Sequence, residues 1–260
     1  MGNEFKDVDF HDLLSVMDNE SKIKMYPQSL NDRIDGGLVR GDMVIVGGRP
    51  EAGKSAFCIT NMAGMAYRGQ KVLYAGNEDA AQRIIVRTIS CLTGRSKAAI
   101  IQDPEGTMQL ARQRGYNNLV FAHPVNTVPH LRALIKKHKP DVVVVDQIRN
   151  YRVKSENRTG QLEQSTIAVR GLAGEFNCAI IAVTQVGDSG EGKLRLSMGD
   201  IDSSKTGIPG ACDVMILIGV DSNFDAANSR MLNLPKNKSG GGHDSWACRI
   251  DPTISRYYDE

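Results

Sequence analysis

The 260-residue chain has no long apolar run: Val142–Val145 and Val214–Ile218, among its longest, fall far short of the roughly 20 residues a membrane-spanning helix needs. Its start, MGNEFKDVDF, lacks the basic-then-apolar order of a secretory signal. Together these absences imply a cytoplasmic protein. Paired cysteines are missing as well. Cys58, Cys91, Cys178, Cys212 and Cys248 are odd in number and widely spaced, with no CxxC, which excludes a disulfide framework or zinc knuckle and leaves reduced, mostly buried thiols. His11, His123, His130, His138 and His243 show no metal-ligand spacing. There is little charge of one sign: 32 Lys+Arg against 30 Asp+Glu leave a formal charge of +2. Bulk electrostatic coating of nucleic acid is thereby disfavoured, though local basic patches are not. No internal repeat and no low-complexity segment is present.

What remains is an ordinary composition, 41% hydrophobic and 24% charged, in a chain long enough to bury one sizeable core without metals or disulfides. Residues 1–25 read as an acidic arm, with Glu4, Asp7, Asp9, Asp12, Asp18 and Glu20 against Lys6, Lys22 and Lys24. Within it, Phe10–Met17 can form an amphipathic helix too short to stand alone, which predicts docking on its own domain or on a neighbouring subunit. Residues 26–260 read as the folded domain.

From Gly36 onward, short β-branched runs alternate with helical stretches. Strands are expected at Met43–Val46, Lys71–Ala75, Asn118–Ala122, Asp141–Val145 and Ala179–Thr184. The intervening helices are expected at Lys54–Tyr67, Ala80–Leu92, Pro104–Arg114, Val128–His138 and Gln161–Phe176. Uniformly apolar strands such as Val142–Val145 imply burial on both faces, hence an α/β fold with a mostly parallel sheet between helical layers. A Gly- and Ser-rich stretch, Val186–Gly210, is too long for a plain connection. After it, Val214–Val220, Met231–Leu234 and Trp246–Ile250 suggest a C-terminal β meander.

The strongest chemical signal is Gly48-Arg-Pro-Glu-Ala-Gly-Lys-Ser55, which fits G-x-x-x-x-G-K-[ST] between a predicted strand and a predicted helix. Its glycines let backbone N–H groups converge on phosphate, the helix N-terminus adds its dipole, Lys54 reaches the terminal phosphates, and Ser55 ligates Mg²⁺. The nucleotide-binding set is therefore Gly48, Glu51, Ala52, Gly53, Lys54, Ser55 and Ala56. Asp146, ending the Val142–Val145 run, is the second metal group, holding the cation's water shell; a strand-end cap is the alternative. Glu78, after the second strand, is the candidate base for water, with Asp79 as its rival and a plain helix-start acid as the bland reading. Gln185, ending Ala179–Thr184, reaches the same C-terminal edge of a parallel sheet and can sense a γ-phosphate.

These features, in this order, resemble the RecA-like ATPases, and most closely the C-terminal ATPase domain of DnaB-type hexameric replicative helicases and their phage relatives. The likeness covers most of the chain and rests on residues 38–55, Glu78, Val-Val-Val-Val-Asp146-Gln and Ile180-Ile-Ala-Val-Thr-Gln185. Two later segments sharpen it: Ser197–Asp213 resembles the family's DNA-contacting loop, and Pro235–Gly242 the strand end carrying its intersubunit cation. The resemblance implies that Lys236 and Lys238 reach the γ-phosphate of the adjacent subunit. Position 238 usually holds Arg in the family, and Lys offers a point charge in place of a planar fork, so catalysis is weaker or the finger is elsewhere. Arg256 and Tyr257 resemble the family's base contacts, Tyr257 by stacking, and a simple strand-end aromatic is the alternative. The DNA loop departs from the family around Asp202–Lys205, yet Ser203, Ser204, Lys205, Thr206 and Gly207 can still donate to phosphates. Arg149, Arg152, Lys154 and Arg158, directly after Asp146, form a second basic candidate, placed to line a central channel or, as the alternative, to form a plain solvated loop.

The implied function is a homohexameric, ATP- and Mg²⁺-dependent DNA helicase motor translocating 5′ to 3′ on single-stranded DNA during replication. A RecA- or RadA-type filament-forming recombination ATPase, and a non-motor regulatory ring ATPase, are the alternatives. The N-terminal primase or helical domain of replicative helicases is not among these residues, which points to a separate primase or loader protein, or to a compact relative.

Overall fold

The computed structural model describes residues 18, 20–153, 158–202 and 207–260, and of residue 158 the backbone only. Phe10–Met17, Lys154 and Ser203–Thr206 lie outside the described residues. The strands among the described residues are β1 (Met43–Gly48), β2 (Val72–Gly76), β3 (Leu119–Ala122), β4 (Val142–Asp146), β5 (Ala179–Gln185), β6 (Val214–Gly219), β7 (Ser229–Asn237), β8 (Ser245–Asp251) and β9 (Arg256–Asp259). The helices are α1 (Ser29–Arg33), α2 (Lys54–Tyr67), α3 (Ala81–Thr93), α4 (Lys97–Gln102), α5 (Pro104–Gln113), α6 (Val128–His138), α7 (Arg158–Phe176), α8 (Gly207–Ala211) and α9 (Ser222–Ala226). One sheet holds the strands in the order β3-β2-β4-β5-β1-β6-β7-β8-β9. From β3 to β6 all pairings are parallel, and β7, β8 and β9 return antiparallel as the expected meander.

Period-2 alternation explains why the parallel strands are apolar throughout. Val44 and Val46 of β1, with Val142 and Val144 of β4, face a core that includes Phe57, Ile59 and Met62 of α2. Met43, Ile45, Val143 and Val145 point the other way, into a second core with Leu131 and Ile135 of α6 and Val169 and Leu172 of α7. All five cysteines are free and buried, as expected. Ile23 and Met25 belong to the first core, and Lys22 bonds Asp35 at 2.7 Å, so the end of the stretch read as an arm is integral to the domain. Elements that escaped the sequence reading include α4, in the Ala-Ala-Ile-Ile run, and β9, which extends the meander by one strand. Among the described residues, no helix is long and apolar enough to cross a membrane.

Candidate nucleotide site

Because β1 and β5 run parallel in register, Gly48 stands level with Gln185, and the glycine-rich loop leaves β1 at the edge where β4 ends in Asp146. The loop turns through Glu51 (φ 64°) and Gly53 (φ 103°) into the N-terminus of α2. Gly53 is required twice: its left-handed backbone suits glycine, and a Cβ there would stand 2.4 Å from Tyr257 Oη. The first N–H groups of α2, on Lys54, Ser55 and Ala56, have no acceptor within the helix and are available to an anion.

Lys54 is buried, and its ammonium donates to the carbonyls of Gly48 (3.0 Å) and Arg49 (2.7 Å). Burial holds its pKa below the usual lysine range, while the charges of Glu78 and Asp146 oppose that shift. Asp146 is 2% exposed; its Oδ2 accepts from the Tyr74 hydroxyl at 3.0 Å, and its Oδ1 is buried with no hydrogen-bond partner. Desolvation, reinforced by Glu78 and Asp79, lifts its carboxyl to about 6. Glu78 is exposed and accepts from Gln147 Nε2. Asn77 clamps that arrangement, donating to the Gln147 carbonyl at 3.0 Å and accepting from the Gln147 N–H at 2.7 Å. Asp79, the rival base, is paired with Arg83 on the first turn of α3. Glu78 is thus the carboxylate tied to the segment that carries Asp146.

The orphaned Oδ1 of Asp146 and the hydroxyl of the half-buried Ser55 at the start of α2 are a donor set suited to a hydrated divalent cation: one buried acceptor waits for a donor or a charge. Among the described residues no cluster of three His, Cys, Asp or Glu side chains could hold a metal by itself. A cation here would need the phosphates as partners, as a Ser/Asp pair implies.

Lys236 and Lys238 are not brought to this cluster. β7 runs antiparallel, so Asn237 pairs with Val214 and Lys236 with Met215, at the start of β6, which is level with the start of β1. The length of β1, about 17 Å at the usual rise, separates that edge from the loop. Lys236 donates to the Pro209 carbonyl, and Lys238 lies 3.2 Å from Asp213 with its side chain 58% exposed.

Stacking by Tyr257 is corrected by the structure. The ring is 3% exposed, packed edge-on against Phe57 with centroids 5.5 Å apart, and its hydroxyl stands 3.4 Å from the Gly53 carbonyl. It supports the loop from beneath and, although the residue also borders the cavity that Arg256 lines, leaves only 3% of its surface exposed for a base. Arg256 lines a cavity of about 780 Å³ with Thr60, Tyr67, Cys91 and Tyr258; none of residues 48–56 lines it. Arg149, read as a channel cation, is turned inward: it donates to Gln185 Oε1 and lies 3.6 Å from Asp202, with 17% of its side chain exposed. Arg152 is exposed, anchored through its backbone N–H to the Asn126 carbonyl at 2.8 Å. Gly207 begins α8, where a Cβ would meet Glu163.

Several supporting residues were not found from sequence. Tyr74, Asn77 and Gln147 orient the two carboxylates; Gln147 follows Asp146 directly, and that polar break in an apolar strand was a usable signal. Arg230 left none: it donates to the Ala52 carbonyl at 2.9 Å from 178 residues away.

Residues 27–243 match the model of the DnaB-like helicase C-terminal domain family. A probable plasmid replicative DNA helicase of Chlamydia trachomatis serovar L2 is 26% identical over 250 residues, covering 89% of this chain and 54% of that protein. This chain thus spans about half the length of that relative. A solved ATPase domain superposes with a TM-score of 0.81 at 18% identity, covering 96% of this chain and 95% of that one. A DnaB-like replicative helicase, solved in a study of its interactions with primase, gives 0.80 at 18% identity, covering 98% and 67%. At those identities the structures establish the RecA-like fold alone.

Proposed function

Since the chain belongs to the DnaB-like helicase C-terminal domain family, we propose that it is the motor of an ATP-dependent DNA helicase, assembling as a homohexameric ring on single-stranded DNA during replication. The observation that carries this reading is the division of the site. Lys54, Glu78, Asp146 and Gln185 converge at one sheet edge, while Lys236 and Lys238 occupy the opposite edge. Cations so placed cannot serve their own chain's nucleotide, and they suit a neighbour's.

In this reading Lys54 exchanges its loop carbonyls for the β- and γ-phosphates, and the N–H groups of Lys54, Ser55 and Ala56 cradle them. Ser55 would hold Mg²⁺ directly and Asp146 its water shell; bound there, the ion supplies charge neutralisation between the phosphates. Glu78 leaves Gln147 to take a proton from the attacking water, and Gln185 reports the γ-phosphate. Arg152 and Gly207 would meet the DNA backbone, together with Lys154, Ser203, Ser204, Lys205 and Thr206. A separate primase or loader protein and a cytoplasmic location complete the proposal.

The test is ATP hydrolysis with and without single-stranded DNA across a salt series. Hydrolysis stimulated by DNA, weakening as salt rises and abolished by Lys54→Ala, is the expected outcome. Hydrolysis indifferent to DNA contradicts the motor and favours a regulatory ATPase.

A further inference from the structure

Arg149 sits in the short turn Ile148–Asn150 that follows Asp146 at the end of β4. Its strand neighbour β5 ends at Gln185, level with Gly48 where the phosphate loop begins. The guanidinium donates to Gln185 Oε1, the side chain proposed to face a γ-phosphate, and is held on its other side by Asp202 at 3.6 Å, beyond hydrogen-bond distance. The Asp202 N–H itself bonds the Gln185 carbonyl at 3.1 Å, so all three groups form one closed set at the loop edge. Arg149 is also near enough to Lys54 for its charge to oppose protonation of that ammonium. Two cations near enough to feel each other's charge, one resting on loop carbonyls and the other on a glutamine amide with Asp202 3.6 Å away, describe a site for an anion.

We propose that Arg149 is a catalytic residue of the chain's own nucleotide site, an arginine finger acting in cis on the γ-phosphate. This rests on the ATPase reading above and adds a residue to it. A planar guanidinium grips two phosphate oxygens at once, which the lysine at position 238 cannot do. The missing intersubunit arginine is thus compensated from within the chain. In the assisted step the water oxygen bonds to the γ-phosphorus and its proton passes to Glu78. The bridging bond to the β-phosphate breaks with its electron pair leaving on ADP, and Arg149 stabilises the γ-oxygens without exchanging a proton. Arg149 yields Asp202 to the phosphate while staying beside Gln185.

The experiment compares Arg149→Ala and Arg149→Lys with the full wild-type chain, measuring kcat and calorimetric affinities for ADP and for a non-hydrolysable ATP analogue. For Arg149→Ala, kcat falls about 10³-fold or more, ADP affinity holds, and the analogue loses about tenfold in affinity. If Arg149→Ala also loses ADP binding, Arg149→Lys takes its place, with the same loss of turnover expected because the fork is gone. Mixing then separates cis from trans: Lys54→Ala subunits, which keep Arg149, do not restore turnover to Arg149→Ala subunits. Restoration by mixing overturns the proposal, as does wild-type turnover. Lost turnover with the ATP-analogue preference intact also overturns it, because Arg149 would then act only through Gln185. A wild-type chain that hydrolyses no nucleoside triphosphate sinks the proposed function and this residue's role together; hydrolysis without dependence on Arg149 sinks the inference alone.

Discussion

Replacing Asp146 with Asn tests the electrostatic description of the site without any ligand. The carboxylate is 2% exposed, and burial raises its pKa from 3.8 to about 6, which corresponds to about 3 kcal/mol. A raised folded pKa means that the folded state binds more protons than the unfolded state between those values. Stability therefore falls as pH climbs from about 4 to about 6, and the full cost is present above that window. Asn removes the charge and can still accept from the Tyr74 hydroxyl. It also places a donor where Oδ1 now has no partner, at a cost of about 1–3 kcal/mol. That cost is the same at every pH, so the difference between variant and wild type isolates the charge. Relative to wild type, Asp146→Asn gains about 3 kcal/mol between pH 4 and pH 8, moving from a net loss to near parity or a small net gain. The assay is urea denaturation of metal-free protein in EDTA across that range. A stability difference that does not change with pH would refute the reasoning, because Asp146 would then titrate as an ordinary solvated carboxylate.

Two further outcomes follow from the geometry. Gly53→Ala, at φ 103° with its Cβ 2.4 Å from Tyr257 Oη, costs about 1–3 kcal/mol from backbone strain, before the contact with Tyr257 is added; Tyr257→Phe in the same chain relieves part of it, so denaturation shows non-additive effects. Lys238→Ala, at the far sheet edge, leaves ADP affinity within error by calorimetry but lowers turnover; unchanged turnover argues against a cation supplied across an interface.

Much of the fold was legible because its signals are local. The four valines of β4 advertise burial on both faces, and the G-x-x-x-x-G-K-S spacing announces a loop between strand and helix. Asp146, Glu78 and Gln185 could be read as strand-end polar groups, which a parallel sheet carries to one edge. What escaped was set by pairing at long sequence distance. Tyr257 looks like a free strand-end aromatic until β9 is added beside β8 and its ring slides under Gly53. Arg149 reads as one of several basic loop residues, and only the nearness of β4 to β5 shows that it faces Gln185. The antiparallel return of β7 sends Lys236 and Lys238 to the opposite edge, a consequence of topology that no local pattern carries.

In the proposed division of labour Arg149 acts within the chain while Lys236 and Lys238, at the opposite sheet edge, serve a neighbour's nucleotide, so turnover depends on assembly. The mass of the assembly in the presence of a non-hydrolysable ATP analogue and a single-stranded oligonucleotide addresses this directly. A closed hexamer is expected; a persistent monomer, or an open-ended series of larger species, would contradict the proposed ring.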